Sequence, residues 1–167
     1  MVPVRPQPEQ PCGFGSRLNL LLSSSGWRNQ AWTEGLPRLL EPMGVRSWFA
    51  HSGREAADVI RKMPVHIAVV DLALPLDAPA GGDESPDEGL EEGGERLLEL
   101  LARLDCPPPT LVVKRKRTLR EDARSLHRAL SAGVFAVLEP PVEIETILKA
   151  MHRVLDRHYC GRWPTTN

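Results

Sequence analysis

The stretch Val65-His66-Ile67-Ala68-Val69-Val70-Asp71-Leu72-Ala73-Leu74-Pro75 decides the fold class. From Val65 to Val70 it is apolar save for one histidine and carries no polar alternation, the mark of a strand buried on both faces of a parallel sheet. It ends on a carboxylate, Asp71, and reaches a proline four residues later. Four further short runs flank it. Leu18 to Leu22 reads as a first strand, ended by Ser23-Ser24-Ser25-Gly26, and Val45 to Ala50 as a second, followed by His51-Ser52-Gly53. Thr110 to Val113 reads as a fourth strand that runs into Lys114-Arg115-Lys116-Arg117. Val134 to Leu138 reads as a fifth, leading to Glu139-Pro140-Pro141.

Helical periodicity fills the gaps between these runs. Trp32, Leu36, Leu39 and Leu40 share one helical face, with Pro37 inside the segment to kink it or delay its start. Ala56, Val59, Ile60 and Met63 mark a short second helix. Leu97, Leu98, Leu101 and Leu104 give Glu95 to Leu104 an inward face that stops at Pro107-Pro108-Pro109. Thr118 to Ala132 is a charged amphipathic helix closed by Gly133 as the residue just past its end. Ile144, Ile147, Leu148, Met151, Val154, Leu155 and Tyr159 hold an i, i+3, i+4 pattern to the end of the last helix. Five strand–helix units predict an α/β domain: a doubly wound, five-stranded parallel sheet with helices on both faces. In such sheets the functional edge lies at the carboxyl ends of the strands. The rim residues to question are therefore Ser23, Ser24, His51, Asp71, Lys114 and Glu139 to Pro141.

The 167 residues suffice for one domain with a substantial core. The reading divides them into a flexible tail over 1–16, one domain over 17–160 and a short C-terminal tail over 161–167. Within the domain, 77–94 reads as an acidic insertion loop, rich in Gly, Pro, Asp and Glu without Lys or Arg. A net charge of −1 gives no general pull toward nucleic acid or a membrane surface. No apolar run approaches the roughly 18 residues that span a bilayer. Cys12, Cys106 and Cys160 form no metal motif, and reduced thiols in the cytoplasm are the simplest reading. The five histidines make no metal spacing either, and His152 and His158 read as surface or interface residues. Trp27, Trp32 and Trp48 read as packing residues rather than a ligand cage.

With these rim residues in place, the chain resembles a receiver domain of two-component response regulators, the CheY-like flavodoxin fold. The resemblance covers roughly Leu18 to Tyr159 and is most specific over Val69 to Pro75, similar to the family's Asp-x-x-x-Pro after strand 3. It implies strand order 2-1-3-4-5 and makes Asp71 the equivalent of the phosphoacceptor. Ala132 to Pro141 resembles the family's strand-5 ending, which puts Pro141 where a proline usually follows a cis bond. The departures are as informative. The acidic pair that holds Mg²⁺ in receivers is Ser23 and Ser24 here, and two hydroxyls bring no negative charge to a hard cation. The family's Thr or Ser after strand 4 is Lys114, its aromatic switch residue is Val137, and its strand-5 Lys is Pro140.

Three functional expectations follow. The first is a pseudo-receiver, without catalysis or cofactor, that signals by protein–protein contact and takes little or no phosphate at Asp71. By resemblance the contact surface is helix 4–strand 5–helix 5, Thr118 to Ala132 and Val142 to Tyr159. The partner is a histidine kinase, an output protein or a second copy in a homodimer; neither nucleic acid nor a membrane is expected. In that reading an Asp71–Lys114 ion pair mimics one signalling state. The second is a working phosphoacceptor in a phosphorelay, with Mg²⁺ held partly by carboxylates of the acidic loop. The third is an anion- or ligand-binding module using Ser23 to Gly26 and Lys114, where an ordinary helix cap is the simpler reading. The basic patch Lys114 to Arg117, with Arg120, is expected to be neutralised by the acidic loop folding over it rather than to bind nucleic acid. As few residues follow Tyr159, the chain reads as a stand-alone receiver-like protein or as part of a longer one.

Overall fold

A computed structural model describes residues 18–24, 31–77, 92–114 and 119–159. Five strands, β1 (Leu18–Ser23), β2 (Val45–Ala50), β3 (Ile67–Asp71), β4 (Thr110–Val113) and β5 (Ala136–Leu138), form one parallel sheet in the order β2-β1-β3-β4-β5. The helices are α1 (Ala31–Leu40), α2 (Gly53–Lys62), α3 (Glu92–Ala102), α4 (Leu119–Ser131) and α5 (Ile144–His158). The expected fold class and strand order are both observed.

The period of two along each strand divides the core. Leu18, Leu20 and Leu22 of β1 point to one face, where they meet Trp32, Leu36 and Leu40 of α1 and Ile147, Met151 and Val154 of α5. Leu21, Ala68, Val70 and Val112 point to the other face and meet Ala56 of α2, Leu97, Leu98 and Leu101 of α3, and Ala129 of α4. Both faces are covered, so the central strands are apolar apart from residues near their ends, Asn19 and Ser23 in β1, Asp71 in β3 and Thr110 in β4. Ser23 pairs in register with Ala50 and Val70, and Asp71 with Val113. The strand ends are thus level, and their carboxyl termini form one rim.

Several boundaries differ from the sequence reading. α3 starts at Glu92, inside the expected acidic loop, so Glu92, Gly93 and Gly94 are its first residues. Residues 78–91 of that loop, the tails, Ser25 to Gly26, Trp27 and Arg115 to Arg117 lie outside the described residues. Val65 and His66 precede β3, Asp71 is its last residue, and Val134 and Phe135 precede β5. α1 runs through Pro37 and is continued by a single 3-10 turn over Glu41–Met43. Leu39, expected inward, is 51% exposed, because Leu36 and Leu40 already fill the stripe that faces the sheet. Trp32 is buried, and Trp48 is half-buried with the Arg46 guanidinium over its ring at 5.8 Å. Gly133 closes α4 with φ +74°, a left-handed conformation that favours glycine. Cys106 is disulfide-bonded, which corrects the expectation of reduced thiols.

At the opposite edge, where the strands begin, a polar network ties four segments together. The backbone N–H of Asn19 donates to His66 Nδ1 at 2.8 Å, and that of His66 returns a bond to Asn19 O at 2.9 Å. The Asn19 side chain donates to Pro64 O and accepts from the Trp48 indole. The Tyr159 hydroxyl donates to His66 O at 2.5 Å, fixing the end of α5 against the start of β3. Burial pushes the Tyr159 phenol up to about 12, and it holds His66 below the ordinary 6.5. A proton on His66 Nδ1 would also break the bond from Asn19. The unfolded chain therefore takes up this proton near pH 6.5 while the folded chain resists it, so stability falls as pH drops through 6.5. His66→Asn keeps an acceptor near Nδ1 but does not titrate. Between pH 7.5 and 5.5 the melting temperature of the wild type is expected to fall further than that of His66→Asn; parallel curves would show that His66 is not the group responsible.

Candidate functional site

The rim at the strand ends is built around Asp71. Its Oδ1 accepts the backbone N–H of Ala73 at 2.8 Å, an Asx-type turn that starts the chain away from β3. Its Oδ2 accepts from the Ser24 hydroxyl at 3.1 Å. Its carbonyl accepts from Leu74 N–H, while the Leu72 N–H reaches back to Val113 O on β4. The carboxylate is half-buried and held on two sides.

The turn after Asp71 is fixed from outside by two helix starts. The N–H groups of Gly53 and Arg54, opening α2, donate to Pro75 O and Leu76 O. The Gly94 N–H, in the first turn of α3, donates to Leu74 O. Backbone lies directly on backbone here. A Cβ on Gly93 would fall 2.3 Å from Pro75 O, and one on Gly94 would fall 2.6 Å from Asp71 O. Ser52 caps α2 by accepting from Glu55 N–H, and the Glu55 carboxylate accepts from His51 N–H. The rim residue His51 is thereby part of a helix cap.

Ser23 and Ser24, which the sequence reading set against the receiver acidic pair, have separate tasks. Ser23 is fully buried and donates to Val69 O at 3.1 Å, while Ser24 donates to Asp71. Mg²⁺ prefers several oxygens with negative charge in an octahedral shell. Here it would find the Asp71 carboxylate and a hydroxyl whose proton is directed at that carboxylate, so the described donor set does not fit the ion. Among the described residues, no group of three or more His, Cys, Asp or Glu side chains is placed to hold a metal.

Lys114 leaves the end of β4 with its backbone N–H on Leu138 O of β5. Its ammonium, mostly buried, pairs with Glu139 Oε1 at 3.2 Å, a carboxylate that the sequence reading did not assign to it. Nothing in the spacing of Lys114 and Glu139 signals this pair; the register of β4 with β5, Val113 opposite Leu138, creates it. Val137 is half-buried in the core layer under α2–α4. The Pro140–Pro141 bond is cis, as the resemblance implied for Pro141. The structure thus gathers Ser23, Ser24, Asp71, Lys114 and the Pro140–Pro141 bond at one sheet edge.

Solved structures share this fold. The signal receiver domain of an HD domain-containing protein from Pseudomonas fluorescens Pf-5 superposes with a TM-score of 0.63 at 16% identity, covering 86% of this chain and 98% of that one. The chain has the receiver fold. The chemotaxis protein CheY4 of Vibrio cholerae gives a TM-score of 0.58 at 17% identity, over 83% of this chain and 99% of that one. The non-phosphorylated HemR receiver domain of Leptospira biflexa gives 0.58 at 21%, over 83% and 94%. No protein-family model matches the sequence. A stretch of 104 residues is 36% identical to the glutathione/L-cysteine transport system ATP-binding/permease protein CydC of Escherichia coli (strain K12). That match covers 58% of this chain and 17% of that protein's length.

The backbone contact at Gly94 has a measurable cost. Ala is the better helix former by about 1 kcal/mol, yet its Cβ in Gly94→Ala would meet Asp71 O and Leu72 Cα, which cannot turn aside as a side chain can. Gly94→Ala is expected to destabilise by about 1–3 kcal/mol. Gly35→Ala in α1 meets only the Ile144 Cδ1 methyl, at 3.1 Å, and is expected to be neutral or stabilising. Urea denaturation of the two variants checks the contrast.

Proposed function

We propose that this protein is a receiver-like regulatory module that acts through protein–protein contact, with Asp71 phosphorylated slowly or not at all. The observation that carries the reading is the Ser24–Asp71 hydrogen bond, which stands where a receiver would bring a second carboxylate to bind Mg²⁺. Phosphoryl transfer to a carboxylate brings two anions together and is catalysed mainly by neutralising and positioning their charge. Pro140 supplies no cation where the family has its strand-5 lysine, and Lys114 is engaged with Glu139. The hydroxyl protons of Ser23 and Ser24 go to Val69 O and Asp71, which weighs against the anion-binding alternative.

Contact with a partner is supported by α4. Leu126 and Leu130 on this helix are 39% and 59% exposed. Together with β5 and α5 they offer a mixed apolar and charged surface suited to a kinase, an output protein or a second copy of the chain. In this reading the protein is cytoplasmic and uses no cofactor. Among the described residues, no helix is long and apolar enough to cross a membrane.

Intact mass after incubation with acetyl phosphate and Mg²⁺, beside an Asp71→Ala control, tests the proposal. No added phosphoryl group is expected on the folded wild type. A phosphoryl group that disappears in Asp71→Ala would overturn the proposal in favour of a phosphoacceptor with an unusual metal site. Ser24→Asp places a second carboxylate beside Asp71. Millimolar Mg²⁺ is expected to raise its melting temperature by at least about 2 °C and leave the wild type unchanged, following ligand linkage; a shift of the same size in the wild type would show that it already binds the ion.

A further inference from the structure

β2 is the outer strand on the side of the sheet away from β5, and among the described residues it pairs with β1 alone. The Leu18 N–H donates to Gly44 O and the Ser24 N–H to Ala50 O. Residues two apart in a strand turn their backbone groups to the same neighbour, so Gly44, Arg46, Trp48 and Ala50 face β1. The N–H and C=O groups of Val45, Ser47 and Phe49 therefore line the open edge. Register with β1 runs unbroken from Val45 to Ala50, so no bulge twists this edge away, and β2 carries neither the proline nor the lysine that blunts many edge strands. Phe49 is 47% exposed. A groove of about 340 Å³ runs along the same edge, lined by Pro37 and Glu41 on the helix side and by Val45, Ser47 and Phe49 on the strand side. The Ser47 hydroxyl oxygen is buried and has no hydrogen-bond partner among the described residues.

We infer that a second copy of the chain docks on this edge, β2 against β2 and antiparallel, about a twofold axis through Ser47. Two five-stranded sheets then join into one. The edge is self-complementary in that register. Val45 stands opposite Phe49 of the second copy, and Phe49 opposite Val45 of the second copy, each a favourable aromatic–β-branched pair. These pairs, and Ser47 with Ser47 of the second copy, exchange both backbone hydrogen bonds. Rotation about the Ser47 Cα–Cβ bond turns each hydroxyl toward the axis, where it gains the partner it lacks. Opposite Val45, the Phe49 ring of the second copy is carried to the groove beside Pro37. On the other face of the sheet Arg46 meets Trp48 of the second copy, repeating across the axis the contact that the Arg46 guanidinium makes with its own Trp48 ring at 5.8 Å. Every contact off the axis occurs twice, as an isologous interface requires.

Neighbouring registers are poorer. Slipping the pairing by two residues toward the start of β2 sets Arg46 against Arg46 of the second copy, like charges directly opposite. Slipping it the other way sets Phe49 against Ser47 and leaves Val45 without its aromatic partner. An unrelated strand would have to bring the same order of apolar, hydroxyl and aromatic side chains; a second copy already carries it. This edge is the far side of the sheet from β5, and its use does not depend on phosphorylation of Asp71.

The test is the mass of the full chain in solution, by light scattering across a size-exclusion peak at high micromolar protein. The wild type is expected at twice the 18.5 kDa of one chain. Ser47→Pro removes an N–H that faces the open edge rather than β1, a position where a strand accepts proline. It is expected to be monomeric with unchanged circular dichroism. Phe49→Lys alters a half-exposed side chain and sets an ammonium against Val45. It too is expected to be monomeric, which keeps the test decisive if Ser47→Pro does not fold. Leu130→Lys, on the exposed face of α4, is expected to leave the dimer intact and so separates this edge from the α4–β5–α5 surface. A monomeric wild type, a dimer that persists in folded Ser47→Pro or in Phe49→Lys, or a dimer abolished by Leu130→Lys would each overturn the proposal.

Discussion

The close approach of the α3 backbone to the turn after β3 is the constraint on which the rest of the rim depends. Gly94 lies against Asp71 O and Gly93 against Pro75 O, at distances that leave no room for a side chain. The hydrogen bond from Gly94 to Leu74 O and the two from the start of α2 to Pro75 O and Leu76 O complete the clamp. With the backbone held this way, Asp71 can fold its own carboxylate onto Ala73 N–H and still meet Ser24 from the neighbouring strand. The direction of Asp71 is thus a property of three elements, β3, α2 and α3, and not of its own strand alone.

That constraint separates keeping a carboxylate from using it. The clamp positions Asp71 whether or not a cation is at hand. A hydroxyl from Ser24 meets one carboxylate oxygen without adding charge, and the Lys114 ammonium pairs with Glu139. Exposed ion pairs contribute about 1 kcal/mol at most; the Lys114 ammonium is mostly buried while Glu139 is open to solvent, so this pair serves more to satisfy a sheltered cation than to stabilise the fold.

Much of the fold was legible because a parallel sheet covered on both faces needs apolar strands, and the interiors of β1, β3 and β4 show that need apart from Asn19. Gly133 was legible as a left-handed closing residue, and the cis bond before Pro141 followed from the resemblance. Contacts made by backbone atoms were not. Gly93 and Gly94 read as part of a polar loop, since a glycine required for close approach has the same composition as one in a flexible segment. Lys114–Glu139 and the Asn19–His66–Tyr159 network join residues far apart in sequence, brought together by strand register and, for Tyr159, by the docking of α5. Leu39 looked like core because its spacing fits the helical stripe, yet the stripe is narrower than the periodicity allows. The cysteine spacing carried no sign of a bond at Cys106.

The central claim is that this rim holds Asp71 without the charge needed to receive a phosphoryl group. Trifluoroberyllate (BeF₃⁻) imitates a phosphoryl group on a carboxylate and depends on the same neutralisation, so ¹⁹F NMR of the protein with beryllium fluoride and Mg²⁺ tests the claim most directly. The account predicts only the resonances of free fluoride species. Protein-bound fluorine resonances that vanish in Asp71→Ala would contradict it.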